Sequence, residues 1–128
     1  MATALDHDDY EGAHGLLHPE VVYEIGEETL HGPDAVVESY RSSSEMAHGL
    51  FDTVGYGHEI VETEGPTFTV RYRDVLTVDG ETHTHFARQE MTVGSDRTVA
   101  RIVDRPVPGE RAKVDEFMAR HDLIRPDG

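Results

Sequence analysis

The chain has 128 residues, a single-domain length, with 26 acidic against 11 basic side chains and no cysteine. Disulfides and thiolate metal centres are therefore excluded, and the negative charge repels phosphate backbones, so no nucleic-acid partner is expected. No stretch approaches the roughly 20 apolar residues of a membrane span, so no membrane partner is expected, and the acidic segment Met1 to Tyr10 does not read as a signal peptide; the expected compartment is the cytoplasm.

The first expected helix runs from Asp9 to Leu17, with Asp8 as its cap, Tyr10, Ala13, His14 and Leu17 on one face, and Pro19 at its end. Val21 to Ile25 alternates as a strand with Val21, Tyr23 and Ile25 on the buried side. A second helix opens at Gly32-Pro33-Asp34, where proline suits the first turn and the carboxylate suits the positive end of the dipole. Val36, Tyr40, Ala47 and Phe51 form its stripe, and Ser42 to Ser44 read as ordinary helix positions.

Four strands follow. Thr53 to Glu62 sets Val54, Tyr56, His58 and Ile60 on one face, and Thr67 to Val78 does the same for Phe68, Val70, Tyr72, Asp74 and Leu76. Asp79-Gly80 is a hairpin turn into Thr82 to Val93, whose inward face is His83, His85, Ala87, Gln89, Met91 and Val93. Gly94-Ser95-Asp96 turns the chain into Arg97 to Arg105, and Pro108 to His121 is the last helix, with Val114, Phe117 and Met118 on its stripe. Residues 1–124 read as one domain and 125–128 as a loose tail. A strand meander with helices outside it is an α+β pattern.

The order of elements resembles the nuclear transport factor 2-like superfamily, in particular its SnoaL-like branch. The residues that carry the likeness are Asp9-Tyr10-Glu11 through Leu16-Leu17-His18-Pro19-Glu20-Val21, the helix start Leu30-His31-Gly32-Pro33-Asp34-Ala35-Val36, and the closing segment from Val93 through Gly94 and Ile102 to Asp104. Two departures stand out, a shortened first helix and a turn without the family's Asp-Gly-Lys/Arg pattern. The resemblance implies a strongly curved mixed or antiparallel sheet wrapped around helices, a cone-shaped, cystatin-like α+β barrel with an interior cavity. Its members include isomerases, cyclases, hydrolases and non-enzymatic association domains, so fold does not fix function.

All five tyrosines fall on inward faces, and buried hydroxyls need partners. The expected lining is Tyr10, His14, Tyr23 and Tyr40, then Phe51, Tyr56 and Tyr72, then Gln89 and Met91. Asp74 interrupts an apolar stripe, where burial raises a carboxyl pKa and makes it usable for proton transfer. With His58 and His85 it forms the candidate catalytic set. His83-Thr84-His85 has a chelating spacing, with His58 and Asp74 as further ligands, but its low specificity leaves the expectation at no metal. Gly55-Tyr56-Gly57 lacks the third glycine and the helix of a nucleotide loop, and no cofactor is expected.

The opposite sheet face carries Arg71, Arg73, Arg88, Arg101 and Arg105, read as cross-strand partners of carboxylates such as Glu90 and as a homodimer surface. If the faces are reversed, Arg71, Arg88 and Glu90 become the pocket. The function expected is binding of a small, largely apolar ligand by an acid-base isomerase, cyclase or hydrolase; the alternative is a non-catalytic association module. One lysine and no asparagine fit either codon bias or salt adaptation, but only salt adaptation accounts for the acid excess.

Overall fold

A computed structural model describes residues 2–123, so the expected tail at 125–128 lies outside the described residues. The elements are α1 (Ala2–Asp6), α2 (Tyr10–Gly15), β1 (Leu17–Ile25), β2 (Glu28–His31) and α3 (Pro33–Leu50), then β3 (Thr53–Glu64), β4 (Thr67–Val78), β5 (Glu81–Val93), β6 (Val99–Asp104) and α4 (Glu110–Arg120). One mixed sheet has the order β2-β1-β6-β5-β4-β3, parallel only between β1 and β6. This is the α+β architecture expected of the cone-shaped barrel.

The β4–β5 hairpin follows its turn chemistry. Asp79 and Gly80 both take positive φ, 51° and 78°, the backbone that a two-residue turn matched to strand twist requires. Glycine takes this conformation at no steric cost, and aspartate tolerates it. The turn fixes an unbroken register from Thr67↔Thr92 to Val78↔Glu81. All side-chain facing on β4 and β5 follows from that register.

Three local expectations are corrected. The first helix stops at Gly15 rather than at Leu17, and Asp9 rather than Asp8 is its cap, with a carboxylate oxygen accepting the Gly12 N–H at 2.9 Å. Pro19 instead lies inside β1, between Leu17 and Val22, where pairing to β6 shifts register and no ladder donor is needed. The N-terminal segment carries a further turn of helix, α1, and an edge strand, β2, follows β1; both are too short to show a period.

The apolar residues form two clusters. One unites Val21, Val36, Val70, Met91 and Ile102, each fully buried, between α3 and the central strands. The other lies under α4 and joins Phe51, Leu76 and Val78 to Val114, Phe117 and Met118. The end of α4 is fastened to the hairpin by His121, whose Nδ1 is 3.3 Å from Asp79 and Nε2 2.9 Å from Glu81. No helix among the described residues is long and apolar enough to cross a membrane.

With a formal net charge of −15, self-repulsion opposes compaction. Raising KCl from about 0.1 M to about 2 M shortens the screening length from about 10 Å to less than about 3 Å. The thermal midpoint in circular dichroism is expected to rise, by about 4 °C for each kcal/mol of repulsion relieved in a domain of this size. A midpoint that falls or stays flat counts against salt adaptation.

Candidate functional site

Residues two apart on a strand share a face, about 7 Å from one another. Tyr72 and Asp74 are thereby placed side by side on β4, opposite Arg71 and Arg73. Register extends each into a row across the sheet: Tyr56, Asp74 and His85 in one, His58, Tyr72 and Ala87 in the next. Paired residues in antiparallel strands point the same way, so these rows line one surface.

A cavity of about 240 Å³ lies over that surface. From the sheet it receives Tyr23, Tyr56, Tyr72, Asp74, Ala87 and Gln89. Helix α3 adds Tyr40, Ser43, Ser44 and Ala47, and the N-terminal segment closes it with Leu5, Asp6, Asp8 and Tyr10.

The inner end holds a fixed polar network. Tyr40 O–H donates to Gln89 Oε1 at 2.6 Å, and Gln89 Nε2 donates to the Tyr23 oxygen at 2.5 Å. The two tyrosine rings stack with centroids 5.5 Å apart. Burial raises the pKa of Tyr23 and Tyr40, so both stay neutral hydroxyls at physiological pH. Tyr72 differs, because its buried hydroxyl oxygen has no hydrogen-bond partner among the described residues. Burial, then the neighbouring Tyr23, Asp6 and Asp74, push its pKa far above the phenol range and keep it a neutral donor.

At the mouth, Asp8 accepts from Tyr10 O–H at 2.9 Å and from Ser44 Oγ at 3.0 Å, and Ser44 lies 2.9 Å from the Tyr56 oxygen. Asp6 sits 2.5 Å from His58 Nδ1. Asp74, on the cavity wall, has no such hydrogen bond or ion pair among the described residues. Burial, with the negative charge of Asp6 second, raises its carboxyl to about 6. A carboxyl that exchanges its proton near neutral pH, beside an unpartnered donor, is equipped for general acid–base chemistry.

Of the residues expected at the site, Tyr10, Tyr23, Tyr40, Tyr56, Tyr72, Asp74 and Gln89 line the cavity. The others do not. His58 is turned to Asp6 beside the cavity, and His85 is the cross-strand neighbour of Asp74 without lining it. His14 is exposed and bonded to Asp34 at 2.8 Å on an outer groove. Phe51 belongs to the cluster under α4, and Met91 is sealed in the other core. Ser43 and Ser44 read as plain helix positions in the sequence, yet Ser44 is four residues beyond Tyr40 on the same stripe, a signal that the spacing offers. Among the described residues no group of three or more His, Asp or Glu is placed to hold a metal ion.

The arginines occupy the opposite face, so the cavity lies on the side that the alternation of β4 assigns inward. Arg71 pairs with Glu59 and covers the Phe86 ring at 5.1 Å, Arg101 pairs with Glu24, and Arg105 lies 3.3 Å from Glu90. Arg73 crosses over Gly57, where a Cβ would collide with its guanidinium.

No protein-family model matches the sequence, and no curated protein matches it. Solved structures do match. TerC, co-crystallized with polyporic acid, superposes with a TM-score of 0.68 at 16% identity over 92% of both chains. A LEH-like epoxide hydrolase of M. tuberculosis gives 0.62 at 16% identity, covering 92% of this chain and 86% of that one. An NTF2-like protein of unknown function from Cytophaga hutchinsonii gives 0.61 at 12% identity, covering 83% and 92%. At such identities the likeness concerns architecture alone, and on that footing the chain has the nuclear transport factor 2-like fold.

Proposed function

We propose that the chain binds a small, largely apolar molecule bearing an oxygen function in this cavity and moves a proton on it. Asp74 takes or returns the proton, and the Tyr72 hydroxyl donates to the oxygen on which charge develops. The observation that carries this reading is the pairing, on one wall of one cavity, of the half-buried Asp74 carboxyl, pushed up to about 6 by burial, with a buried hydroxyl that has no partner among the described residues. The likeness to an epoxide hydrolase and to a protein co-crystallized with polyporic acid is in keeping with it.

The test is exchange of carbon-bound protons into D₂O, followed by NMR across a panel of small ketones. The protein is expected to accelerate exchange for those that fit, with a rate that rises as pH passes about 6 and Asp74 becomes a base. Exchange that survives unchanged in Asp74→Asn overturns the assignment of the proton to this residue.

A second reading is self-association through the outer sheet face, favoured by the half-buried Arg88, whose Nε has no hydrogen-bond partner among the described residues. Arg71→Glu with Arg73→Glu is then expected to halve the mass measured by light scattering; an unaltered mass removes this reading.

A further inference from the structure

We infer that the cavity selects a positively charged organic ligand, a small aromatic or alkyl ammonium, over neutral and anionic molecules of the same shape. The inference rests on the proposed role of the cavity as a ligand site and narrows it: among apolar, oxygen-bearing ligands of fitting size, one that also carries an ammonium group binds more tightly than the neutral ketones that report proton exchange.

Charge is segregated in this fold. No lysine or arginine lines the cavity among the described residues, whereas Asp6, Asp8 and Asp74 all do. The sheet arginines point to the other side, where Arg71, Arg101 and Arg105 are occupied by Glu59, Glu24 and Glu90. An anion entering the cavity meets three carboxylates, Asp6 facing His58 at 2.5 Å and Asp8 facing His48 at 3.6 Å, and no lysine or arginine among the described residues. A cation meets Asp74, a half-buried carboxyl that makes no ion pair among the described residues.

The walls supply the second half of the recognition. Tyr10, Tyr23, Tyr40, Tyr56 and Tyr72 line this one space, and tyrosine faces attract cations through the ring quadrupole, more strongly once water is excluded. The Tyr10 ring already takes a cation from outside, the Arg41 guanidinium at 5.8 Å from its centroid. The Tyr72 hydroxyl oxygen, buried and unpartnered, is free to accept an ammonium N–H beside Asp74. The volume of about 240 Å³ lies below the roughly 300–1,000 Å³ of sites for drug-sized ligands. One ring with a short amine arm is the appropriate scale.

The probes are benzylamine, benzyl alcohol and benzoate, which share one skeleton and differ in charge. Binding is followed by amide and tyrosine ring NMR shifts in about 2 M KCl, where steering by the overall charge is screened and enclosed contacts are not. Benzylammonium is expected to bind about tenfold more tightly than the alcohol at about pH 7.5, with benzoate weakest. The titratable groups facing Asp74 are Asp6 from α1, Tyr56 from β3, Tyr72 from its own strand and His85 from β5, with His58 holding Asp6. The preference is expected to shrink towards pH 5 as Asp74 takes up a proton, and to vanish in Asp74→Asn but not in the surface control Glu27→Gln.

Benzyl alcohol binding as well as benzylammonium overturns the charge selectivity and leaves the cavity as a ligand site. A preference that persists in Asp74→Asn also overturns it. If none of the three probes shifts resonances of cavity residues, the ligand-site reading fails and the selectivity with it.

Discussion

Asp74→Asn is expected to give a protein that is harder to unfold at pH 7 and unable to carry a proton in its cavity. The carboxyl is raised from 3.8 to about 6 in the folded chain, chiefly by burial. Below pH 3.8 the folded and unfolded forms are both protonated, and the residue contributes nothing to the pH dependence. Between the two values the folded form holds a proton that the unfolded form has released, so stability falls as pH rises. Above about 6 the cost is complete, on the order of 2–3 kcal/mol. Asparagine is never ionised. Its variant should show a urea midpoint higher at pH 7, by an amount equivalent to about 2 kcal/mol, and indistinguishable from the parent below pH 4. The same substitution removes the proton carrier, and general acid–base groups account for about 10²–10⁴ in rate. Gain of stability with loss of turnover is the signature of a strained functional group. A variant less stable at pH 7 would mean that Asp74 has a stabilising partner.

How far the sequence reveals this site depends on what alternation encodes. A period of two assigns a side chain to a face, and on β4 it sets Tyr72 and Asp74 against Arg71 and Arg73, as the structure does. Tyr23, Tyr40, Tyr56 and Gln89 follow from the same logic. Period is silent on position along the strand, and that silence misplaces Met91 and Phe51. Met91 lies further along β5 than Gln89, beneath Val21 and Val36, and Phe51 lies past the end of α3, beneath α4. Both are inward, but the cavity occupies only the middle rows. Asp6 and Asp8 are invisible for another reason. A helix as short as Ala2–Asp6 contains little more than one turn, too little to show a face, and its place against β3 is set by contacts such as Asp6 with His58, 52 residues apart.

Phe117→Ala is expected to cost about 3–5 kcal/mol, the range for truncating a large, fully enclosed aromatic side chain. Phe117 is 1% exposed at the centre of the cluster under α4. Its ring stacks on Phe51 at 6.1 Å and on His83 at 5.3 Å, and meets His121 edge-on at 5.0 Å. The Arg120 guanidinium covers it at 5.7 Å. Rigid strands on one side keep that space from collapsing, so alanine leaves a cavity as well as losing apolar burial. For a domain of ordinary stability, about 5–15 kcal/mol, this is a large share, and the urea midpoint should fall accordingly. The ligand cavity is built from other residues, on rows nearer the middle of the sheet. At salt concentrations that keep the variant folded, the shifts induced by benzylammonium at Tyr72 and Gln89 should therefore persist. A loss below about 1 kcal/mol would show that α4 is not docked on Phe117. Loss of the ligand shifts in a folded variant would show that the two clusters act as one, with α4 part of the support of the site.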